Sequence, residues 1–194
     1  MPRRFLLALV ALPLVVAFGC SSDPYAPKAS YPVLSDTLRI LALNGTAPEA
    51  ESGVRLISVA SQVPDYAEQF DFALDIGATG TVVLIPRSKI VTCTTTCQLG
   101  VKIVRADSVK FDAIYDAPKS GYTYDSLTTL PVGATALFVT KEIYCQPSNI
   151  STYDVYAKMV IDSVHLADRA IFARVVADPN CGFRGLIPGT TPAH

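Results

Sequence analysis

The strongest constraint on this chain is a period of two. In FDFALDI, Phe70, Phe72, Leu74 and Ile76 fall on one side, and Asp71 and Asp75 on the other. That is the alternation of a strand with one buried face. SVKFDAIYD sets Val109, Phe111, Ala113 and Tyr115 against Lys110, Asp112 and Asp116, with Ile114 out of phase. TYDVYAKMVID aligns Tyr153, Val155, Ala157, Met159 and Ile161. TLRILALNG, GVRLISVA, TVVLIP, VKIVRA, ALFVTKEIY and AIFARVVA bring the strand candidates to about nine. Asn44-Gly45, Gly53, Gly80, Gly121 and Gly133 punctuate them.

Short alternating strands with turn signals between them predict an all-β antiparallel sandwich of immunoglobulin-like character. One segment is ambiguous. DSVHLADRAIFARVVAD places Leu166, Ala170, Ala173 and Ala177 at helical spacing, but a hairpin turning near Ala167-Asp168 is favoured. The preference comes from an internal pseudo-repeat. DIGATGTVVLIPRSKIVTC parallels LPVGATALFVTKEIYC, and VKIVRADSVKF parallels AKMVIDSVHL, at an interval of about 55 residues. Each half is too short to bury a good core alone, so the two would share one sandwich.

The chain opens with MPRRFLLALVALPLVVAFGC. Two arginines precede an uncharged run, Phe5 to Phe18, that is shorter than the roughly 20 residues needed to cross a bilayer as a helix. Basic start, apolar middle and small residue are the marks of an export signal. AFGC resembles the lipobox of bacterial lipoproteins, with Ala17 where Leu is usual and Phe18 where a small residue is usual. The resemblance covers residues 1 to about 22. It implies lipidation of Cys20, which becomes the N-terminus and carries a diacylglycerol. Ser21, where retained inner-membrane lipoproteins often carry Asp, leans toward an outer membrane. The alternative is plain secretion. RRFLL also looks partly like a twin-arginine signal, but lacks the residue between the arginines and Phe-Leu. The resulting plan is a signal over 1–19, lipidated Cys20 with a Pro/Ser-rich tether over 20–35, a sandwich domain over 36–187 and a disordered tail over 188–194.

Four further cysteines, Cys93, Cys97, Cys145 and Cys181, form an even set in an exported chain and read as two disulfides. Three pairings are open, and Cys93–Cys97 with Cys145–Cys181 is favoured. A redox role for CTTTC is disfavoured, because three threonines intervene and resist the helix that lowers a catalytic thiol pKa. Zinc spacing is absent. The chain holds 16 Lys+Arg and 17 Asp+Glu, two of the arginines in the signal. This balance gives no electrostatic reason to bind nucleic acid.

Chemistry-bearing residues are sparse. The two histidines are His165, read as a hairpin residue, and the terminal His194, and GxSxG is missing. Asp112 and Asp116, spaced to share a strand face, and the following Asp125 form a weak calcium candidate without calcium-loop spacing. Tyr115, Tyr122 and Tyr124 form a candidate glycan platform or an ordinary sheet edge. Should another cell type secrete the chain, NGT at Asn44 and NIS at Asn149 become glycan sites. The sequence thus points to a lipid-anchored cell-envelope protein with no cofactor, acting as a non-catalytic binding or structural module with an envelope protein as partner. A calcium- or glycan-binding accessory protein is the first alternative. An acid-pair glycoside hydrolase, with a raised carboxyl in a cleft, is the less favoured one.

Overall fold

The computed structural model describes residues 28–64, 70–91, 101–106, 108–124, 126–142 and 153–192. Within them the strands are β1 Leu34–Leu41, β2 Gly53–Arg55, β3 Ala60–Gln62, β4 Phe72–Ile76, β5 Val82–Pro86 and β6 Lys102–Ala106. There follow β7 Thr123–Tyr124, β8 Thr128–Leu130, β9 Thr135–Glu142, β10 Tyr153–His165 and β11 Ala170–Asp178. A six-stranded sheet has the order β1-β11-β10-β9-β6-β7, and a five-stranded sheet the order β3-β2-β4-β5-β8. The pairings are antiparallel. The inner faces share one core, in which Phe72 of β4 stacks on Phe138 of β9 with ring centroids 4.9 Å apart. The molecule is an all-β sandwich.

Strand direction gives the sandwich two distinct ends. β1 starts at Leu34 opposite Ala177, and β11 finishes beside Tyr156 near the start of β10. This end is the base. At the other end, the tip, β10 and β11 join through residues 166–169, so the ambiguous segment is a hairpin. In the five-stranded sheet, Leu43 N–H donates to Leu74 O, and the Arg169 side chain reaches Ile76 O, which puts the β4–β5 turn at the tip as well.

Two strand expectations fail. GVRLISVA is a tight hairpin, β2–β3, whose turn buries Leu56 and Val59. SVKFDAIYD is a single 3-10 turn, Phe111–Ala113, followed by extended chain. Phe111 and Ile114, three apart, are buried together as 3-10 geometry allows, while Val109 and Tyr115 are exposed. The residue that broke the alternation, Ile114, was the signal. The repeat does not fold into equivalent halves either. β5 lies in the five-stranded sheet and its counterpart β9 in the six-stranded one, and β4–β5 is a hairpin whereas β8 and β9 sit in different sheets.

The six-stranded sheet is buried on both faces along the base half of its central strands. Along β10, Val155, Ala157, Met159 and Ile161 point into the main core, while Tyr156, Lys158 and Val160 are covered on the outside. The cover is the 3-10 segment and the C-terminal stretch, which supply Phe111, Ile114, Ala117 and Leu186 to a second cluster with Val33, Val139 and Val176. A bulge between Ile161 and Ser163 shifts the register of β10 against β11. The chain ends are fastened to this layer. Ser30 and Tyr31 N–H donate to Asn180 Oδ1 at 2.7 and 3.0 Å, Val33 N–H donates to Thr190 O, and Gly189 N–H donates to Val33 O. The last residues of the stretch read as tether, and the first of the stretch read as tail, are therefore part of the domain.

Candidate functional site

The tip is built from four connections, three of them held by one polar network. β1 is followed by Asn44-Gly45, where the chain must reverse, and Gly45 takes φ +75°. The Asp75 carboxylate accepts from Asn44 Nδ2 at 2.6 Å, Asn44 N–H at 3.2 Å and Arg169 Nη2 at 3.0 Å. Arg169 also donates through Nε to Asn44 O at 2.7 Å and through Nη2 to Ile76 O at 3.3 Å. Burial alone would raise the Asp75 pKa, but the hydrogen bonds from Asn44 and the Ile76 backbone and the Arg169 charge outweigh it and lower it. The β1–β2, β4–β5 and β10–β11 connections are thereby locked together, and the Gly133 N–H bond to Ile161 O adds the β8–β9 turn. Leu166 and Val132 project from this frame, exposed. Sequence reading left this network unseen, although Asn44-Gly45 beside an acid-bearing strand was its visible part.

The outer face of the six-stranded sheet carries the second polar set. Lys158 is buried, and its ammonium donates to Phe111 O at 3.0 Å and Ile114 O at 2.7 Å, 4.6 Å from the Phe111 ring centroid. Burial pulls its pKa down. Arg174 lies over the same ring, donates to Asp162 at 3.0 Å and approaches Asp112 at 3.4 Å. These two cations pin the 3-10 segment. Nearer the base, Tyr122 tilts against Tyr156 and donates to Pro118 O at 3.0 Å, and burial raises its pKa beyond the ordinary range. Tyr124 is exposed, with the Lys102 ammonium 4.5 Å from its ring centroid.

The expected site residues do not converge. Asp112 lies on the 3-10 turn beside Arg174, a guanidinium where a cation site would need space. Asp116 stands in a bridge to Gly185, so the two acids do not share a strand face. Asp125 lies outside the described residues, as do Cys20, Cys93, Cys97, Cys145, Asn149 and His194. Among the described residues, no three or more His, Cys, Asp or Glu gather to hold a metal ion. Tyr115, Tyr122 and Tyr124 do not form one platform, since Tyr122 packs inward on Tyr156. His165 closes β10 with its ring 5.0 Å from that of Phe172. Cys181 is disulfide-bonded.

Two carboxyls among the described residues have raised pKa values, both through burial. Asp71 accepts Leu56 N–H at 2.6 Å and the Thr140 hydroxyl at 2.8 Å. Asp178 accepts Asn180 N–H and Nδ2 on Oδ1, while its buried Oδ2 has no partner among the described residues. They do not form an acid pair. Thr140 follows Ala136 and Phe138 on the inner face of β9, whereas Asp178 follows Arg174 and Val176 on the outer face of β11. The sheet separates them.

No helix among the described residues is long and apolar enough to cross a membrane. No family model, curated protein or solved structure matches the chain.

Proposed function

We propose that this chain is a lipid-anchored cell-envelope protein, held through Cys20 in a bacterial membrane, the outer one favoured by Ser21, and working as a non-catalytic binding or structural module. The observation that carries the reading is the polarity of the sandwich. The N-terminal segment joins the domain at the base, beside the end of β11, and the β1–β2, β4–β5, β8–β9 and β10–β11 connections gather at the opposite end, while the β2–β3 turn lies at the base. A chain anchored by its N-terminus presents that tip away from the membrane. Loops held on a rigid β scaffold are where such domains place recognition. The Asn44–Asp75–Arg169 network makes the tip a preorganised surface, which lowers the ordering cost of binding. Exposed Leu166 and Val132 supply apolar contact for an envelope protein partner.

Protein extracted gently from its own envelope is expected to have an intact mass that starts at Cys20 and includes acyl chains. Photo-crosslinkers placed at Leu166 or Val132 should capture a partner that one placed at Lys89, at the base, does not. A soluble, unacylated chain starting elsewhere overturns the anchor, and equal capture from tip and base overturns the presentation.

A further inference from the structure

The base differs in chemistry from the tip. Tyr31, Tyr124, Leu127 and Ile187 are exposed there, with relative exposures of 64%, 58%, 62% and 45%. Each is placed at that end by the backbone. Tyr31 N–H is held by Asn180, just past β11. Tyr124 is opposite Lys102 at the start of β6, in the row that continues through Val139 and Tyr156 to Asp178. Leu127 follows Tyr124 on the way into β8, and Ile187 O accepts from Thr190, which holds Val33. Cations accompany them. Lys28 precedes Ser30 and Lys89 ends the 3-10 turn after β5, both exposed, and Arg184, half-buried and donating to Ala117 O at 2.6 Å, follows Gly182, whose N–H donates to Asp154 O at the start of β10. Of the acids described at this end, Asp71 and Asp178 are turned inward and Asp154 is paired with Lys141 at 3.5 Å. The tip, by contrast, has Glu49 and Glu51 in the β1–β2 connection, with Asp168 in the last hairpin paired to Arg39 at 3.2 Å, and no exposed tyrosine among the described residues.

Tyrosines whose apolar ring and polar hydroxyl suit a headgroup layer, interleaved with lysine and arginine, are what an anionic lipid surface attracts. The chain N-terminal to the domain argues for the same occupant. Ser30 is pinned ten residues after Cys20, so the connecting segment spans at most about 35 Å when drawn out. β10 alone, 13 residues long, extends about 43 Å. The connection is thus shorter than the domain and ends on its cationic, tyrosine-bearing face. We infer that the base is a docking surface for anionic lipid headgroups, which seats the sandwich upright on its membrane with the tip outward. The inference rests on the lipid-anchor reading and adds a second contact to it.

The test is hydrogen–deuterium exchange on the full acylated protein, its acylation checked by intact mass, in vesicles of phosphatidylcholine alone or mixed with phosphatidylglycerol. Residues 28–31, 101–103 and 184–187 should exchange more slowly on the mixed vesicles, and 166–169 should not change. Lys28→Glu with Lys89→Glu, two exposed positions, should shift the docked–undocked balance by at least about 25-fold, at about fivefold per cation, without changing Tm. An acylated sample whose base exchanges equally on both vesicles overturns the docking and leaves the anchor standing. An unacylated sample that floats with neither vesicle overturns both. Base protection that grows with protein density on neutral vesicles assigns the surface to a second copy of the chain and overturns the lipid reading.

Discussion

Arg169 concentrates the conformational cost of the tip in one residue. Its φ of 50° lies in the left-handed region, which costs a side-chain-bearing residue about 1–2 kcal/mol. The structure tolerates this because that conformation turns β10 into β11 while aiming the guanidinium at Asn44 O, Asp75 and Ile76 O. Gly45 is tied to the same arrangement, since a Cβ there would lie 3.0 Å from Arg169 Nε. The Asn44 amide that would accept a glycan is itself donated to Asp75. Two substitutions separate backbone cost from side-chain gain. Arg169→Ala and Arg169→Gly both lose the part-exposed hydrogen bonds and should each be less stable than the parent by about 1–2 kcal/mol. The Gly variant should nevertheless exceed the Ala variant by about 1 kcal/mol, because glycine adopts positive φ freely. Urea midpoints of the two variants measure this, and equal midpoints would show that the backbone carries no such cost.

At the scale of elements, the long strands were legible because alternation and burial coincide in them. β4, β5, β9, β10 and β11 each follow their pattern in FDFALDI, TVVLIP, ALFVTKEIY, TYDVYAKMVID and AIFARVVA. The outer layer was not legible. Alternation reports one apolar face per strand, but β10 buries Lys158 and Tyr156 on its second face under a 3-10 segment and the C-terminal stretch. A buried lysine satisfied by two carbonyls reads in sequence like any solvated lysine. Asn180 was equally silent, since only the fold brings it to Ser30 and Tyr31. Its neighbourhood now bears on the disulfides. Gly182 N–H donates to Asp154 O at 2.8 Å, and Asp154 lies opposite Lys141 on β9. Cys181 is therefore one strand away from the end of β9, and Cys145 follows Lys141 by four residues. We expect non-reducing peptide mapping to join Cys145 to Cys181, a loop whose closure is worth about 4 kcal/mol in the chain-entropy model. A peptide joining Cys181 to Cys93 or Cys97 would overturn the expectation.

For the whole molecule, the buried carboxyls give stability a pH dependence with opposing signs. Asp75 has a lowered pKa in the fold, so its contribution is present above its unfolded value near 3.8 and is lost as pH falls through the folded one. Asp71 and Asp178 are raised by burial, so the stability they allow is complete below 3.8 and is lost as pH rises through their folded values. Going from neutral toward mildly acid pH, the fold should therefore gain stability before the loss at Asp75 and other carboxylates takes over. Asp178 is the clearer contributor, because its Oδ2 is buried without a partner among the described residues, whereas both Asp71 oxygens accept hydrogen bonds. In Asp178→Asn the bonds from Asn180 can still be accepted at Oδ1, and the charge is gone. Tm measured between pH 4 and 8 should rise by a few degrees toward acid in the parent, about 2–4 °C for each kcal/mol in a domain of this size. The variant should show a smaller rise and a Tm at neutral pH no lower than the parent's. An undiminished rise in the variant would move the effect from Asp178 to Asp71. That would place the pH-sensitive contact at the seam where the β2–β3 turn meets β9, rather than beneath the N-terminal segment that ties the base.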